Sequence, residues 1–203
     1  MTKRIIALLL ALILTVGLLP TVALAEGAPT MSGTCGASGN ENNVKWELTD
    51  VDGDGNYTLT ISGTGAMKDY DFYVGERSPW DSKKGQIQNV VIGDGVTTIG
   101  KDAFNYSSAN SELKTVDLSN ATSLEKIGIR AFFKCSQLEN IDLSKAVNLK
   151  EIGDNAFNSS GVENVTFPQN SQLTEIGSGV FTLCNNLKNI DIPETVTKIG
   201  GSA

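Results

Sequence analysis

From residue 87 onward the chain writes one alternation of apolar and polar positions five times: I-Q-N-V-V-I at Ile87, L-K-T-V-D-L at Leu113, L-E-N-I-D-L at Leu138, V-E-N-V-T-F at Val162 and L-K-N-I-D-I at Leu187. The last three positions of each read apolar, variable, apolar, the pattern of a short strand with one buried face. Between them a second motif recurs, I-G-K-D-A-F at Ile99, I-G-I-R-A-F at Ile127, I-G-D-N-A-F at Ile152, I-G-S-G-V-F at Ile176 and I-G-G-S-A at Ile199. Its glycines, Gly100, Gly128, Gly153, Gly177 and Gly200, are 28, 25, 24 and 23 residues apart. A period of about two dozen residues is that of a stacked repeat array. One more apolar residue per period (Val96, Leu124, Leu149, Leu173, Val196) adds an inward position. A single coil of this kind leaves both flat sides open to water, and stacking closes them: strands then lie about 4.8 Å apart in a parallel sheet and like residues form columns. The I-G glycine fits a corner where a Cβ would clash or where a positive φ is required.

Upstream, Val44 to Leu48 and Tyr57 to Ile61 alternate apolar and polar around a glycine-rich connection, which predicts a hairpin capping the first coil. Trp80 is expected to cover the end of the core. Residues 26–43, rich in glycine, serine, threonine and asparagine, are expected to be flexible. The insertion N-Y-S-S-A-N-S-E at Asn105 to Glu112 is expected to bulge from the coil edge.

The pattern L-x-x-[IV]-x-[IL] followed by I-G-x-x-A-F-x-x-C resembles the BspA-like leucine-rich repeats of bacterial surface proteins, over Ile87 to Ala203. W-E-L at Trp46, Y-T-L-T-I-S-G-T-G-A-M at Tyr57 and S-P-W at Ser78 resemble the module that precedes such repeats. The resemblance implies a β-rich leucine-rich-repeat solenoid, right-handed, with one short parallel strand per coil lining a concave face, behind an N-terminal antiparallel β-hairpin cap. It also implies adhesion or protein recognition at the cell surface. The division expected is a signal peptide over 1–25, a flexible start over 26–43, a β cap module over 44–86, and repeats at 87–112, 113–137, 138–161, 162–186 and 187–203, the last incomplete. A solenoid needs a polar terminal cap, and the end at G-S-A lacks one, which makes a fragment or an end covered by another copy the expectation.

The chain opens M-T-K-R, an apolar run from Ile5 to Leu19, Pro20, then V-A-L-A, the order of a secretory signal with cleavage after Ala25. The run is shorter than the roughly 20 residues that span a bilayer. Losing Lys3 and Arg4 takes the net charge from −7 to about −9. So acidic a chain lacks the basic stripe that nucleic acid requires, and anionic lipid repels it. Neither nucleic acid nor membrane insertion after cleavage is expected; localisation is secreted or cell-surface associated. The three cysteines, Cys35, Cys135 and Cys184, are too few for a disulfide scaffold. Cys135 and Cys184 share one column two coils apart, about 9 to 10 Å, beyond disulfide reach. No histidine is present, which removes the commonest general base and zinc ligand.

D-V-D-G-D-G-N at Asp50 to Asn56 offers a calcium loop through Asp50, Asp52 and Asp54, but position twelve, which should supply a bidentate glutamate, is Ile61. The same residues suit a tight hairpin turn, the preferred reading. The outward columns of the strand motif, Asn89, Thr115, Asn140, Asn164 and Asn189 beside Val91, Asp117, Asp142, Thr166 and Asp191, make a shallow polar and acidic recognition surface. Aspartates on adjacent coils repel unless solvated, hydrogen-bonded or bridged. No serine has a positioned base, and no glycine loop precedes a helical pattern. The sequence thus reads as a non-enzymatic binding module without cofactor, recognising an extracellular protein or glycan through its concave face. The alternatives are a structural repeat that self-associates end to end, and an appendage of a larger surface protein or enzyme.

Overall fold

The computed structural model describes residues 31–107 and 110–203. The signal-peptide reading of residues 1–25 lies outside the described residues. Three antiparallel strands begin the fold, β1 (Met31–Thr34), β2 (Val44–Thr49) and β3 (Tyr57–Gly63). Along β2, Val44, Trp46 and Leu48 are buried while Lys45 and Glu47 face water, as a one-sided strand requires. The expectation that the chain is flexible until Val44 is corrected from Met31 onward, where Met31–Thr34 pairs with Lys45 to Leu48; residues 26–30 lie outside the described residues. The indole of Trp46 lies over Gly33, where a Cβ would stand 2.8 Å from Nε1, so glycine is what lets the strand sit against the ring.

The cap sheet runs straight into the repeats. Strand β3 pairs in parallel with β5 (Ile87–Ile92), and β5 with β7 (Thr115–Asp117). Strands β9 (Asn140–Asp142), β11 (Asn164–Thr166) and β13 (Asn189–Ile190) form the next parallel ladder. The parallel strand expected in each coil is therefore present, and a second ladder accompanies it. This consists of β4 (Gly65–Ala66), β6 (Val96–Ile99), β8 (Lys126–Ile127), β10 (Glu151–Ile152), β12 (Glu175–Ile176) and β14 (Lys198–Ile199), all parallel. Its inward residues Ile99, Ile127, Ile152 and Ile176 meet Leu124, Leu149 and Leu173 in the core.

The glycine of each I-G is explained by proximity and not by dihedral angle. A Cβ at Gly153 would lie 2.8 Å from the amide nitrogen of Ile129 on the coil before, and one at Gly177 2.6 Å from that of Asp154. The left-handed position falls two residues later, at Asp102, Arg130, Asn155, Gly179 and Ser202, with φ of 53°, 52°, 57°, 64° and 57°. Four of the five carry a side chain. What holds them is a third run of inter-coil bonds, in which the N–H of Arg130 donates to Asp154 O and that of Asn155 to Ser178 O, at 2.9 and 2.8 Å.

The turn that follows drops a phenylalanine into the core. Phe104, Phe132, Phe157 and Phe181 stack with centroids 5.1, 5.3 and 5.7 Å apart and planes within 10°. Trp80 heads this column, 5.7 Å from Phe104 and fully buried, with its indole N–H donating to Ala103 O. Lys84, also buried, joins cap to repeat through Asp81 at 2.6 Å and the Asn105 carbonyl at 2.8 Å. The insertion does not simply bulge: Asn105, Tyr106 and Ser111 are buried, and the Tyr106 hydroxyl donates to Lys84 O. Lys84 supplies the partner that draws it inward.

Candidate functional site

Strands β5 and β7 of the cap sheet and β9, β11 and β13 of the next ladder carry the two outward columns. Alternation forces them there, because Val90, Val116, Ile141 and Val165 turn into the core and the residues on either side must turn out. Register aligns them: Asn89 pairs with Thr115, Asn140 with Asn164, and Asn164 with Asn189. The Thr115 hydroxyl donates to Asn89 Oδ1 at 2.7 Å, and the Asn164 amide to Asn140 Oδ1 at 2.9 Å. Each amide that donates up the column keeps donor and acceptor capacity for a ligand.

The acidic column is less uniform than its sequence. Asp117 accepts the Ser119 N–H at 2.8 Å, and Asp142 the Ser144 N–H at 2.9 Å. These carboxylates close the turn that ends each strand, which gives adjacent aspartates a local reason to be there. Hydrogen bonding from the Ser119 side chain and backbone N–H holds Asp117 below the usual carboxylate range. At Asp191 the same bond is impossible, since the residue two positions on is Pro193 and has no N–H. Thr166 stands in the same column before Pro168.

The D-V-D-G-D-G-N loop brings Asp50, Asp52 and Asp54 within 4.8 Å of one another. Asp50 accepts the N–H groups of Gly53 and Gly55 at 2.8 and 3.0 Å. Asp54 accepts the Asn56 amide and backbone N–H at 2.7 and 2.8 Å, and these bonds hold it below the ordinary range. Ile61, in position twelve, is fully buried in β3. The loop has the bonding of a hairpin turn.

All three thiols are buried and free. Burial pushes Cys35 up to about 12 and also raises Cys135 and Cys184. Cys184 packs 3.3 Å from Ser160 Oγ, which occupies the same column. These thiols are core residues.

Sequence reasoning missed the bidentate pair of Arg130 with buried Asp102, at 2.8 and 2.7 Å. Asp102 also holds Asn105 at 2.7 Å, and the Phe72 N–H points at it from 3.4 Å. The guanidinium sits 4.9 Å over the exposed ring of Tyr73. The signal available was one basic and one acidic residue at equivalent positions of consecutive repeats. On the opposite ladder Lys126 pairs with Glu151 and Lys198 with Glu175, surface bridges of small energetic weight.

Two strand ladders, an I-G corner too tight for a Cβ and a buried phenylalanine column define a repeat type. A family model, BspA type Leucine rich repeat region, matches residues 109–203 in six copies. Over residues 109–203 the chain matches BspA-type leucine-rich repeats. Among solved structures, this chain is similar to a leucine-rich repeat protein from Eubacterium ventriosum, with 30% identity and a TM-score of 0.64, over 85% of this chain and 40% of that one. A leucine rich cell surface protein from Faecalibacterium prausnitzii is 23% identical with a TM-score of 0.48, over 85% of this chain and 51% of that one. The chain spans 40% and 51% of the length of these two relatives. No curated protein matches the chain. Among the described residues no helix is long and apolar enough to cross a membrane.

Proposed function

We propose that the BspA-type repeats act as a non-enzymatic recognition module, outside the cell or on its surface, binding an extracellular protein or glycan through the outward columns of the first strand ladder. The observation that carries this reading is the outward placement of Asn89 and Thr115, register-paired in one sheet, and of exposed Asn140, Asn164 and Asn189, register-paired in the next, beside exposed Asp117, Asp142, Thr166 and Asp191. Asn140, Asn164 and Asn189 place identical donors and acceptors at one coil spacing, so weak contacts from several coils add along strands whose backbone bonds already fix them. The preorganisation lowers the ordering cost of association. Repeat solenoids present extended surfaces of the kind used for binding, and the signal-like order of the first 25 residues supports the location. Support for the non-enzymatic part comes from the absence of histidine in the sequence and the burial of all three thiols.

The test is to probe protein and glycan arrays with the labelled parent, with Asn140→Arg/Asn164→Arg, and with Lys126→Glu/Lys198→Glu on the opposite ladder. Binding that the first pair abolishes and the second preserves, with unchanged circular dichroism, is the expected result. Equal retention by both removes this face as the site.

A further inference from the structure

One backbone bond ties the entry of each outward strand to the coil before it. The N–H of Lys114 donates to Gln88 O at 2.8 Å, that of Glu163 to Glu139 O at 2.7 Å and that of Lys188 to Glu163 O at 3.1 Å. The equivalent bond between the second and third coils would run from the Glu139 N–H to Lys114 O, and among the described residues it is not made. The strands β5 and β7, β9 and β11, and β11 and β13 are register-paired, whereas β7 and β9 are not: one sheet ends at β7 and the next starts at β9. This junction, in the middle of the molecule, faces two unpaired strand edges towards each other.

The sequence accounts for the break. The insertion Asn105 to Glu112 leads directly into β7 and stretches the interval from Gly100 to Gly128 to 28 residues, where the next is 25. One coil later the run-in to the strands is fastened by the Gly161 N–H, which donates to Cys135 O at 3.0 Å. Ser136 holds the position equivalent to Gly161, but its N–H turns back to Lys134 O in its own coil, at 2.9 Å.

The other faces of the same junction are fully bonded. On the second ladder the N–H groups of Lys150 and Gly153 donate to Glu125 O and Ile127 O, both at 2.8 Å. At the left-handed corner Arg130, Phe132 and Lys134 donate to Asp154 O, Ala156 O and Asn158 O at 2.9, 2.7 and 2.9 Å. The core is continuous too, since Phe132 stacks on Phe157 at 5.3 Å and Leu113, Val116, Leu138 and Ile141 are all buried. Two tied faces and one untied face define an axis of bending, within a core that holds the two halves together.

We propose that this seam is a hinge. The cap with the first two coils rocks against the third to fifth coils about the bonded faces, opening and closing the gap between β7 and β9 on the microsecond-to-millisecond scale of hinge motions. The outward columns are thereby two panels, Asn89 and Thr115 on one and Asn140, Asn164 and Asn189 on the other, whose spacing adjusts to what lies across them. A molecule that spans both panels selects one position of the hinge. The hinge goes beyond the reading of that face as a recognition surface and does not depend on it, because its test needs no ligand.

The test is NMR spectroscopy of the 15N-labelled mature chain. After correction for intrinsic rates, the Glu139 amide is expected to exchange at least about tenfold faster than the amides of Lys114 and Glu163, its bonded equivalents, as local opening at an untied edge requires. Relaxation dispersion is expected over Thr115–Asp117 and Asn140–Asp142, with flat profiles over Asn164–Thr166 and Glu151–Ile152. Protection of Glu139 equal to that of Glu163 overturns the seam. Fast exchange at Glu139 with flat dispersion over Thr115–Asp117 and Asn140–Asp142 means a fixed gap and overturns the hinge, as does dispersion of equal size over Asn164–Thr166, which places the motion in every coil. Each of these outcomes leaves the array test of the outward face untouched.

Discussion

At Gly153 an added methyl would sit 2.8 Å from Ile129 N and 2.9 Å from Gly128 C, both backbone atoms that the two ladders on either side prevent from moving. Gly153→Ala should therefore cost about 1–3 kcal/mol, the range for overpacking. Gly85, in the 3-10 segment Asp81–Gln86, has open space around its Cβ position and no positive φ. There alanine only removes freedom from the unfolded chain, so Gly85→Ala should stabilise by about 0.4–1 kcal/mol. Paired urea titrations check both, and equal effects would show that steric contact is not what selects glycine at the I-G corner. The identity of that glycine is plain in the sequence; its cause is not. A recurring glycine is equally consistent with positive φ, and the left-handed turn in fact falls on Asp102, Arg130, Asn155 and Ser202, residue types that share no signature.

The repeating element is the coil, and its most regular feature is the phenylalanine column. Phe132 is fully buried between Phe104 and Phe157, whereas Phe181 has one stacked neighbour and is only partly buried. Truncation of a buried phenylalanine costs about 3–5 kcal/mol, and each lost stacked pair contributes about 0.5–1.5 kcal/mol to that. Phe132→Ala should therefore destabilise clearly more than Phe181→Ala, as measured by denaturant midpoint at constant slope. The spacing of I-G-x-x-A-F made this column legible, and the strand motif did the same for the first ladder, because both repeat an apolar residue at a fixed interval. The second ladder was not legible for the converse reason. Its strands Lys126–Ile127, Glu151–Ile152 and Glu175–Ile176 are two residues long, too short to show an alternation, and inter-coil hydrogen bonds make them strands. Likewise the outward columns could be placed from pattern alone, but not the division of labour among aspartates. That depends on whether an N–H lies two residues downstream, and Pro193 was the legible but unread sign.

Across the whole molecule, cap and repeats share one core. The sheet passes from β3 to β5 without interruption, Trp80 stacks on Phe104, Lys84 reaches the Asn105 carbonyl, and Asp102 lies within reach of the cap at Phe72. Nearest-neighbour coupling of this kind makes cap and coils unfold together when every interface is of comparable strength. Both tryptophans, Trp46 and Trp80, lie in the cap, whereas most of the chain in the far-ultraviolet signal lies in the coils. Urea unfolding followed by tryptophan fluorescence and by circular dichroism should give coincident midpoints; separated midpoints would mean that the cap folds by itself. The same core sets the response to base. Burial raises Cys35, Tyr70, Tyr106, Cys135 and Cys184 from ordinary values of 9.0 for thiol and 10.0 for phenol. Below about pH 8 these groups are almost wholly protonated in both states and contribute almost no pH dependence. Above it the unfolded chain releases protons that the folded chain retains, so stability falls as pH rises through the window from about 9 toward the raised folded values. The urea midpoint should therefore be flat between pH 6.5 and 7.5 and decline by pH 10.5, with the two probes still coincident because the five groups are spread over cap and coils alike. A midpoint unchanged at pH 10.5 would mean that these thiols and phenols reach water in the folded protein, against their burial in every part of the core.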